Sequence, residues 1–232
     1  MYNKKIIIIS SVFIALEIIL GILIQFTHNN LHVALCYSSV VIACLFLLLF
    51  TSKKNYLPTQ LGLVFTVFAD LFLVVIEPML QIPAMICFSI TQICYFIRIY
   101  LNQKIKKEKL IHLIVRLVSS ILIIVITFMV LKENTDFLSI ISTFYYINLV
   151  INIIFAFRQT KSSVLFPIGL LLFACCDLQI GLNILNSSYI NIENNIILNF
   201  IANPPFNIAW LFYVPSQTLI ALSIINDKTS TN

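Results

Sequence analysis

Charged side chains are scarce in this chain. Only 10% of its 232 residues are Asp, Glu, Lys or Arg, whereas 60% are hydrophobic, and the mean hydropathy is +1.03. The interior of a soluble domain of this length is too small to bury that much apolar surface. The scarcity of charge therefore excludes a soluble protein. It predicts an all-α, polytopic integral membrane protein with a single membrane domain over residues 1–232.

Patterns typical of metal sites and disulfides are missing as well. The chain has 3 histidines, and all 6 cysteines fall inside apolar runs: Cys36, Cys44, Cys87, Cys94, Cys175 and Cys176. A disulfide framework would place its cysteines in aqueous loops, so we interpret these as packing residues. The spacing of His and Cys indicates no metal site, and we expect no metal and no cofactor. Nucleic acid is excluded as a partner because the basic clusters lack interleaved aromatic residues.

Apolar windows of about 20 residues, separated by polar or proline-containing breaks, predict eight transmembrane helices. The predicted spans are 6–26, 31–50, 60–76, 82–101, 110–131, 136–157, 163–185 and 206–225. The first span is too long for the apolar segment of a signal peptide, so we expect it to be retained. The longest connection, near 186–205, is rich in Asn, and we interpret its part from Ile190 to Ile201 as a short helix at the membrane interface.

The distribution of loop charges predicts the orientation of these spans. One set of helix ends carries most of the basic residues, including the cluster at 104–109, whereas the other set carries one base, Lys132, among four acids: Glu77, Glu133, Asp136 and Glu193. By the positive-inside rule both termini are cytoplasmic, which agrees with an even number of spans. Frequent Ile, Asn and Lys are typical of an AT-rich genome, so we expect a bacterial cell membrane.

Two aspartates lie inside these apolar segments in the same local frame. Gly62-Leu63 precedes Asp70-Leu71, and Gly169-Leu170 precedes Asp177-Leu178, so the two frames are offset by 107 residues (177 minus 70). A charged side chain in hydrocarbon costs roughly 2.5–3.5 kcal/mol on insertion scales. Because the chain carries this cost twice in one frame, we expect both acids to lie in one site.

The repeated frame also predicts a duplicated half. Downstream of the two aspartates, the segment Phe88-Ser-Ile-Thr-Gln92 resembles Tyr213-Val-Pro-Ser-Gln217. Four helices per half is an even number, so the halves, about 1–109 and 110–232, are expected to form a parallel repeat. Such a repeat places the two acids at matching depth in the membrane.

Four polar side chains are candidates for lining the cavity around the acids. Gln92 and Tyr95 are three residues apart, and Tyr213 and Gln217 are four residues apart. Side chains at these spacings share one face of a helix. We therefore expect each pair to present its polar groups towards the acids.

Two carboxyl groups that lie close together in a medium of low dielectric constant do not both ionise readily, so the pair holds an acid and a carboxylate. That combination suits a hydrolysis that needs a proton donor and an activator of water. Two other interpretations remain open. Parallel repeats and paired intramembrane acids also describe proton-coupled small-solute transporters, and a non-catalytic lipid-binding membrane protein is the third possibility.

Several motifs carry a resemblance to a known family. They are Ala69-Asp70, Phe173-x-x-x-Asp177, and the segment 210–221 with Tyr213 and Gln217. These motifs are similar to those of the YhhN / lysoplasmalogenase-like family of eight-helix membrane proteins, and Tyr146 matches a recurrent family tyrosine. The chain resembles a divergent member, because Ala69 stands in place of Gly, Cys176 in place of Ser, and Gln92 in place of His.

The resemblance implies an activity, namely cleavage of the vinyl ether bond of lysoplasmalogens to a fatty aldehyde and a glycerophospho-alcohol. It implies that one of Asp70 and Asp177 donates a proton while the other stabilises the cation and guides water. The implied substrate-binding residues are Gln92, Tyr95, Tyr146, Tyr213 and Gln217. The expected partners are therefore a lysophospholipid substrate and the surrounding membrane lipids. The sequence makes no prediction about oligomeric state.

Three further charged residues fall within predicted spans. We expect Glu17 to pair with a neighbouring polar group rather than to join the acid site. Arg98 and Arg116 lie towards the cytoplasmic ends of their helices and are expected to extend to the interface. The alternative interpretation is that these two arginines hold a lipid phosphate.

Overall fold

The computed structural model describes residues 4–50, 56–76, 78–159, 164–188, 200 and 206–227. These residues contain eight α-helices: α1 (Lys4–Phe26), α2 (Asn29–Phe50), α3 (Leu57–Asp70), α4 (Gln81–Asn102), α5 (Lys106–Leu131), α6 (Phe137–Phe157), α7 (Leu165–Ser188) and α8 (Ile208–Asp227). Each predicted span is confirmed as a helix. The largest difference is in the third span, predicted to end at 76, because α3 ends at Asp70; the start of α5, predicted at 110, is found at Lys106. The predicted interfacial helix at 190–201 lies outside the described residues, apart from Phe200.

The bundle has the polarity expected of a protein in hydrocarbon. Among the described residues, seven helices are long and apolar enough to cross a membrane, and α8 contains a shorter apolar segment, Ile208–Ile224. Large apolar side chains point outwards, as Leu117 and Met129 of α5 do at 63% and 70% exposure. Polar side chains such as Glu17 and Asp70 are buried inside instead. The chain is therefore an all-α membrane bundle.

Local sequence explains where several helices begin. Asp136 and Ser139 form a capping box at the start of α6, in which the Ser139 N–H donates to Asp136 Oδ1 at 2.7 Å and the Asp136 N–H donates to Ser139 Oγ at 3.1 Å. Pro58 stands in the first turn of α3, where its missing N–H leaves no hydrogen bond unmade. The chain does not continue as a regular α-helix after Asp70, however. A π-helical turn, Leu71–Val75, follows Asp70 directly, which the continuous span predicted for 60–76 did not anticipate.

The helices pack around one another in the order α1, α2, α3, α4, α6, α7, α8, and α5 lies outside this ring against α6. Most interfaces fall into pairs that the predicted repeat relates. The α1–α2 interface corresponds to α5–α6, α2–α3 to α6–α7, α3–α4 to α7–α8, and α4–α6 to α2–α8. The repeat stays a prediction, and this correspondence supports it. The contact between α1 and α8 is the exception, since α4 and α5 scarcely approach each other.

The two glycines of the repeated frame lie at the closest helix contacts. A Cβ added to Gly62 would lie 2.5 Å from Cε1 of Tyr95 on α4, and one added to Gly169 would lie 2.8 Å from Cγ1 of Ile220 on α8. Real Cβ atoms do not approach other atoms so closely, so both positions need the space that glycine leaves. Each glycine thus allows the acid-bearing helix to pack tightly on the helix that follows it.

Candidate functional site

The structure brings the two predicted acids together. Asp70 is the last residue of α3 and only 3% of its surface is exposed, whereas Asp177 lies in the middle of α7 and is half-buried. The two carboxyl groups are near enough for a direct electrostatic interaction. The more accessible member of the pair is therefore Asp177.

Each carboxylate oxygen Oδ2 accepts a hydrogen bond from a tyrosine hydroxyl. The hydroxyl of Tyr213 on α8 donates to Asp70 at 2.6 Å, and that of Tyr145 on α6 donates to Asp177. The repeat aligns Tyr213 with Phe88, whose ring has no hydroxyl group to offer. Asp177 obtains its donor instead from α6, and the Tyr145 ring lies 5.5 Å from the Phe88 ring.

An aromatic cluster holds both tyrosines in place. Phe173 is fully buried one turn before Asp177, and its ring centroid lies 5.4 Å from that of Tyr213 and 6.5 Å from that of Tyr145. The indole of Trp210 meets the Tyr213 ring edge to face at 5.2 Å. Aromatic rings packed at these distances restrict each other's rotamers. The two hydroxyl donors are thereby held towards the acids.

The backbone also changes its hydrogen-bonding pattern beside Asp70. The N–H of Leu71 points at the carbonyl oxygens of both Val67 and Phe68, and the N–H of Ile76 donates to the carbonyl of Leu71 at 3.1 Å, five residues earlier. π-helical turns of this kind are rare and occur frequently at functional sites. Neither Gly nor Pro stands at this point in the sequence, so no sequence signal indicates the turn.

The two predicted glutamines have different surroundings. Gln217 on α8 is fully buried, one turn after Tyr213, and neither its Oε1 nor its Nε2 has a hydrogen-bond partner among the described residues. Gln92 on α4 faces α6, where Nδ2 of Asn152 donates to both its Oε1 and its main-chain oxygen at 2.9 Å. Nε2 of Gln92 has no partner within the described ranges. Buried amides normally make hydrogen bonds, so these free groups can receive a ligand or water.

The predicted tyrosines Tyr95 and Tyr146 also differ in their surroundings. The ring of Tyr95 fills the space above Gly62 and meets Phe166 edge to face at 5.5 Å, with its hydroxyl beside Thr66. Tyr146 is half-buried and lies within electrostatic range of Asp177, but the hydroxyl that bonds this acid belongs to its neighbour. Sequence reasoning thus missed Tyr145, because the family motif indicated the adjacent position.

His32 on α2 connects three helices near Asp70. Nδ1 of His32 lies 3.2 Å from the carbonyl oxygen of Ile24, which only accepts hydrogen bonds, so Nδ1 carries the proton. Nε2 is then an acceptor for the amide of Asn207 at 3.3 Å and lies 3.5 Å from Sγ of Cys36. Cys36 is within electrostatic range of Asp70. These contacts tie the start of α8 to α1 and α2.

The remaining intramembrane charges have contacts of their own. Oε2 of Glu17 accepts a hydrogen bond from Ser39 Oγ at 2.6 Å, so this acid pairs with a neighbouring polar group as expected. The expectation that the two arginines extend to the interface is wrong. Arg98 donates to Thr59 and Ser223 inside the bundle, and Arg116 donates to two asparagines of α6. Both guanidinium groups stay inside the bundle because neutral polar side chains on adjacent helices accept their hydrogen bonds there.

In the part of the chain that the structure describes, no group of three or more His, Cys, Asp or Glu side chains is placed to hold a metal ion.

Comparison with known proteins supports the motif resemblance. No curated protein and no solved structure matches the chain. The model of the YhhN family matches residues 31–224, which include both aspartates and every helix except α1. The chain belongs to the YhhN family.

Proposed function

We propose that the protein is a membrane-embedded lipid hydrolase that cleaves the vinyl ether bond of lysoplasmalogens to a fatty aldehyde and a glycerophospho-alcohol. The observation that supports this most directly is the interacting carboxyl pair, Asp70 and Asp177, with a tyrosine hydroxyl on each member. Membership of the YhhN family also supports the proposal, because the activity is inferred from motifs that resemble those of this family.

The first chemical step is proton transfer to carbon. One aspartic acid donates its proton to the carbon of the double bond that is remote from the ether oxygen, and the π electrons form the new C–H bond. The resulting oxocarbenium ion carries a positive charge next to the other aspartate. In a site with little water this attraction is screened far less than in bulk solvent, so the carboxylate stabilises the cation.

Water then completes the hydrolysis. The water oxygen attacks the cationic carbon while one carboxylate removes a proton from the water. This proton removal is general base catalysis. The product is a hemiacetal. When the hemiacetal collapses, the bond between its carbon and the glycerol oxygen breaks. The glycerol oxygen takes a proton from the aspartate pair, and the hemiacetal hydroxyl gives its own proton to the pair. The fatty aldehyde and the alcohol leave, and the pair again holds one proton.

Polar groups near the pair are suited to orienting the substrate. The amide of Gln217 offers one unpaired acceptor and two unpaired donors one helical turn from Tyr213. The free Nε2 of Gln92 offers a further donor. In this proposal a hydroxyl of the glycerol, the ether oxygen or the attacking water satisfies these amides.

A proton-coupled transporter is the second candidate. Two irregularities favour it: the π-helical turn beside Asp70 and Pro215 within α8. Transporter sites are commonly built where a membrane helix is interrupted. Both candidates use the same acids, so only a functional assay separates them.

The deciding experiment uses the purified full chain in lipid nanodiscs with a lysoplasmalogen, and measures released aldehyde. Asp70→Asn and Asp177→Asn are each expected to lower the rate at least about a hundredfold, the lower end of general acid–base contributions. Glu17→Gln is the matched control, since it also neutralises a buried intramembrane acid but one that is bonded to Ser39. It is expected to retain wild-type activity.

The alternative outcomes are equally specific. Aldehyde release that survives in both Asp→Asn variants contradicts the proposed chemistry. Proton-dependent solute uptake into liposomes without aldehyde release supports the transporter. If the wild-type chain shows neither activity, the non-catalytic lipid-binding interpretation is favoured.

A further inference from the structure

The second half of the bundle has a cleft where the first half has a helix contact. α1 packs on α8, and a Cβ added to Gly21 would lie in ordinary van der Waals contact with Cγ1 of Val214, at 3.6 Å. The backbones of the corresponding helices α5 and α4 lie farther apart beyond the connection at 103–105, and only their side chains meet in the described part of the chain. Both pack on α6, which closes the back of the cleft.

Basic and aromatic side chains line this cleft. Lys109, His112 and Arg116 are spaced by three and four residues, so they share one face of α5. Nζ of Lys109 lies 4.8 Å from the centroid of the Tyr100 ring, and Cζ of Arg116 lies 4.4 Å from that of the Phe96 ring, both on α4. These cation–π contacts join the two helices. The His112 ring also meets the Phe96 ring edge to face at 5.0 Å, and its Nδ1 lies 3.3 Å from Nε2 of Gln103.

Arg116 carries a charge that none of its contacts neutralises. Its Nη1 and Nη2 donate to the amide oxygens of Asn148 and Asn152, and Nη2 lies 3.5 Å from Nε2 of His112. Its buried Nε has no hydrogen-bond partner in the part of the chain that the structure describes. Amide, imidazole and phenyl groups are not anions, so every contact found for this guanidinium leaves it without a counter-charge. A cation at membrane depth is costly unless an anion pairs with it.

The surroundings favour an anion that is itself a lipid. Residues 104–116 contain five basic residues and one acid, the exposed Glu108. The walls of the cleft continue outwards into exposed apolar side chains, Ile93 and Ile97 on α4 and Leu113 and Leu117 on α5. A headgroup between the cations would leave acyl chains against these residues, whereas a soluble anion would gain nothing from them.

We propose that the α4–α5 cleft binds the phosphate-bearing headgroup of an anionic phospholipid, with Lys109 and Arg116 as its cationic partners. The phosphate supplies the negative charge that Arg116 lacks and lies within the row of cations that Lys109 begins. The lipid assay does not depend on the hydrolase proposal. Among the contacts of the described residues, neither Lys109 nor Arg116 touches Asp70 or Asp177, and Arg116 reaches Gln92 through Asn152.

The test is native mass spectrometry of the purified full chain in detergent, with added dioleoylphosphatidylglycerol or dioleoylphosphatidylcholine. The anionic lipid is expected to be retained about fivefold or more over the zwitterionic one, since each basic residue near a lipid surface contributes roughly that factor. Lys109→Gln and Arg116→Gln are each expected to lower the preference about fivefold. Lys107→Gln removes the same charge from an exposed side chain two residues away and is expected to keep the preference.

Three results would overturn the proposal. The first is equal retention of the two lipids by the wild-type chain. The second is an equal loss in Lys107→Gln and Lys109→Gln, which would indicate a diffuse surface charge. The third is displacement of the anionic lipid by millimolar inorganic phosphate, which would indicate a soluble anion. If Arg116→Gln fails to fold, Lys109→Gln still decides the outcome, because its side chain is only half-buried near the helix end.

Discussion

The hydroxyl of Tyr213 donates a hydrogen bond to Oδ2 of Asp70 across 2.6 Å, and so joins α8 to the end of α3 over 143 residues of sequence. This bond connects the two halves of the chain at the candidate site. Asp70 is buried, so the bond has no easy replacement from water. The same reasoning gives Tyr145 a weaker structural role, since its partner Asp177 is half-buried.

Removing these hydroxyls separates the two roles. Tyr213→Phe is expected to destabilise the protein by about 1–3 kcal/mol, because a buried acceptor loses its donor. Tyr145→Phe is expected to cost less, because Asp177 is less deeply buried than Asp70. Both variants are expected to lower aldehyde release about tenfold, the effect of about 1.4 kcal/mol on the barrier. Thermal unfolding in detergent and the aldehyde assay measure the two effects.

Tyr146→Phe serves as the control for this pair. It removes a hydroxyl from the adjacent residue of the same helix, which is half-buried and does not bond Asp177. Activity and stability are expected to stay at wild-type values. A larger loss in Tyr146→Phe than in Tyr145→Phe would favour the family motif over the observed geometry.

Gln217 offers a test that distinguishes function from packing. Its buried amide has no hydrogen-bond partner, so Gln217→Leu removes two unsatisfied groups and is expected to leave stability unchanged or to raise it by about 1–3 kcal/mol. Activity is expected to fall in the same variant. Asn152→Leu is the contrast, because that side chain bonds both Gln92 and Arg116. A fall in the midpoint of thermal unfolding for Gln217→Leu comparable to that for Asn152→Leu would contradict this assignment.

The glycine contacts predict which small substitutions the bundle tolerates. Gly62→Ala and Gly169→Ala place a Cβ within 3 Å of Tyr95 and Ile220, and overpacking of this kind typically costs about 1–3 kcal/mol. Gly181→Ala on α7 meets nothing within 4 Å and is expected to be neutral or to stabilise the helix by about 0.5–1 kcal/mol. Thermal unfolding of the three variants under one condition is sufficient. Equal destabilisation of all three would show that helix packing is looser than described.

The Glu17–Ser39 bond is a further packing prediction. Ser39→Ala leaves both oxygens of a buried carboxyl group without a donor, since Oε1 already lacks one, and is expected to cost about 1–3 kcal/mol. Combining it with Glu17→Leu removes the polar group itself and is expected to recover most of that loss. The coupling energy from a double-mutant cycle measures this, and additive effects of the two substitutions would contradict it.

Which residues surround the acids was only partly predictable. Gly62, Gly169, Asp70 and Asp177 follow from a repeated frame that can be read along the chain. Tyr145 does not, because adjacent residues on a helix point about 100° apart and the family motif indicates the neighbouring position. Gln92 illustrates the same difficulty. Its shared face with Tyr95 is a local property, whereas its bond to Asn152 depends on where α6 packs.

The sequence by itself determined the number of helices and the positions of Asp70 and Asp177 inside apolar segments, because hydropathy accumulates along the chain and needs no knowledge of neighbouring helices. Tertiary structure alone decided which hydroxyl bonds each acid, that α3 changes to a π-helical turn after Asp70, and that α4 and α5 stand apart. These features depend on how eight helices rotate and shift against one another. That arrangement reflects the packing of side chains distant in sequence, which no local pattern records.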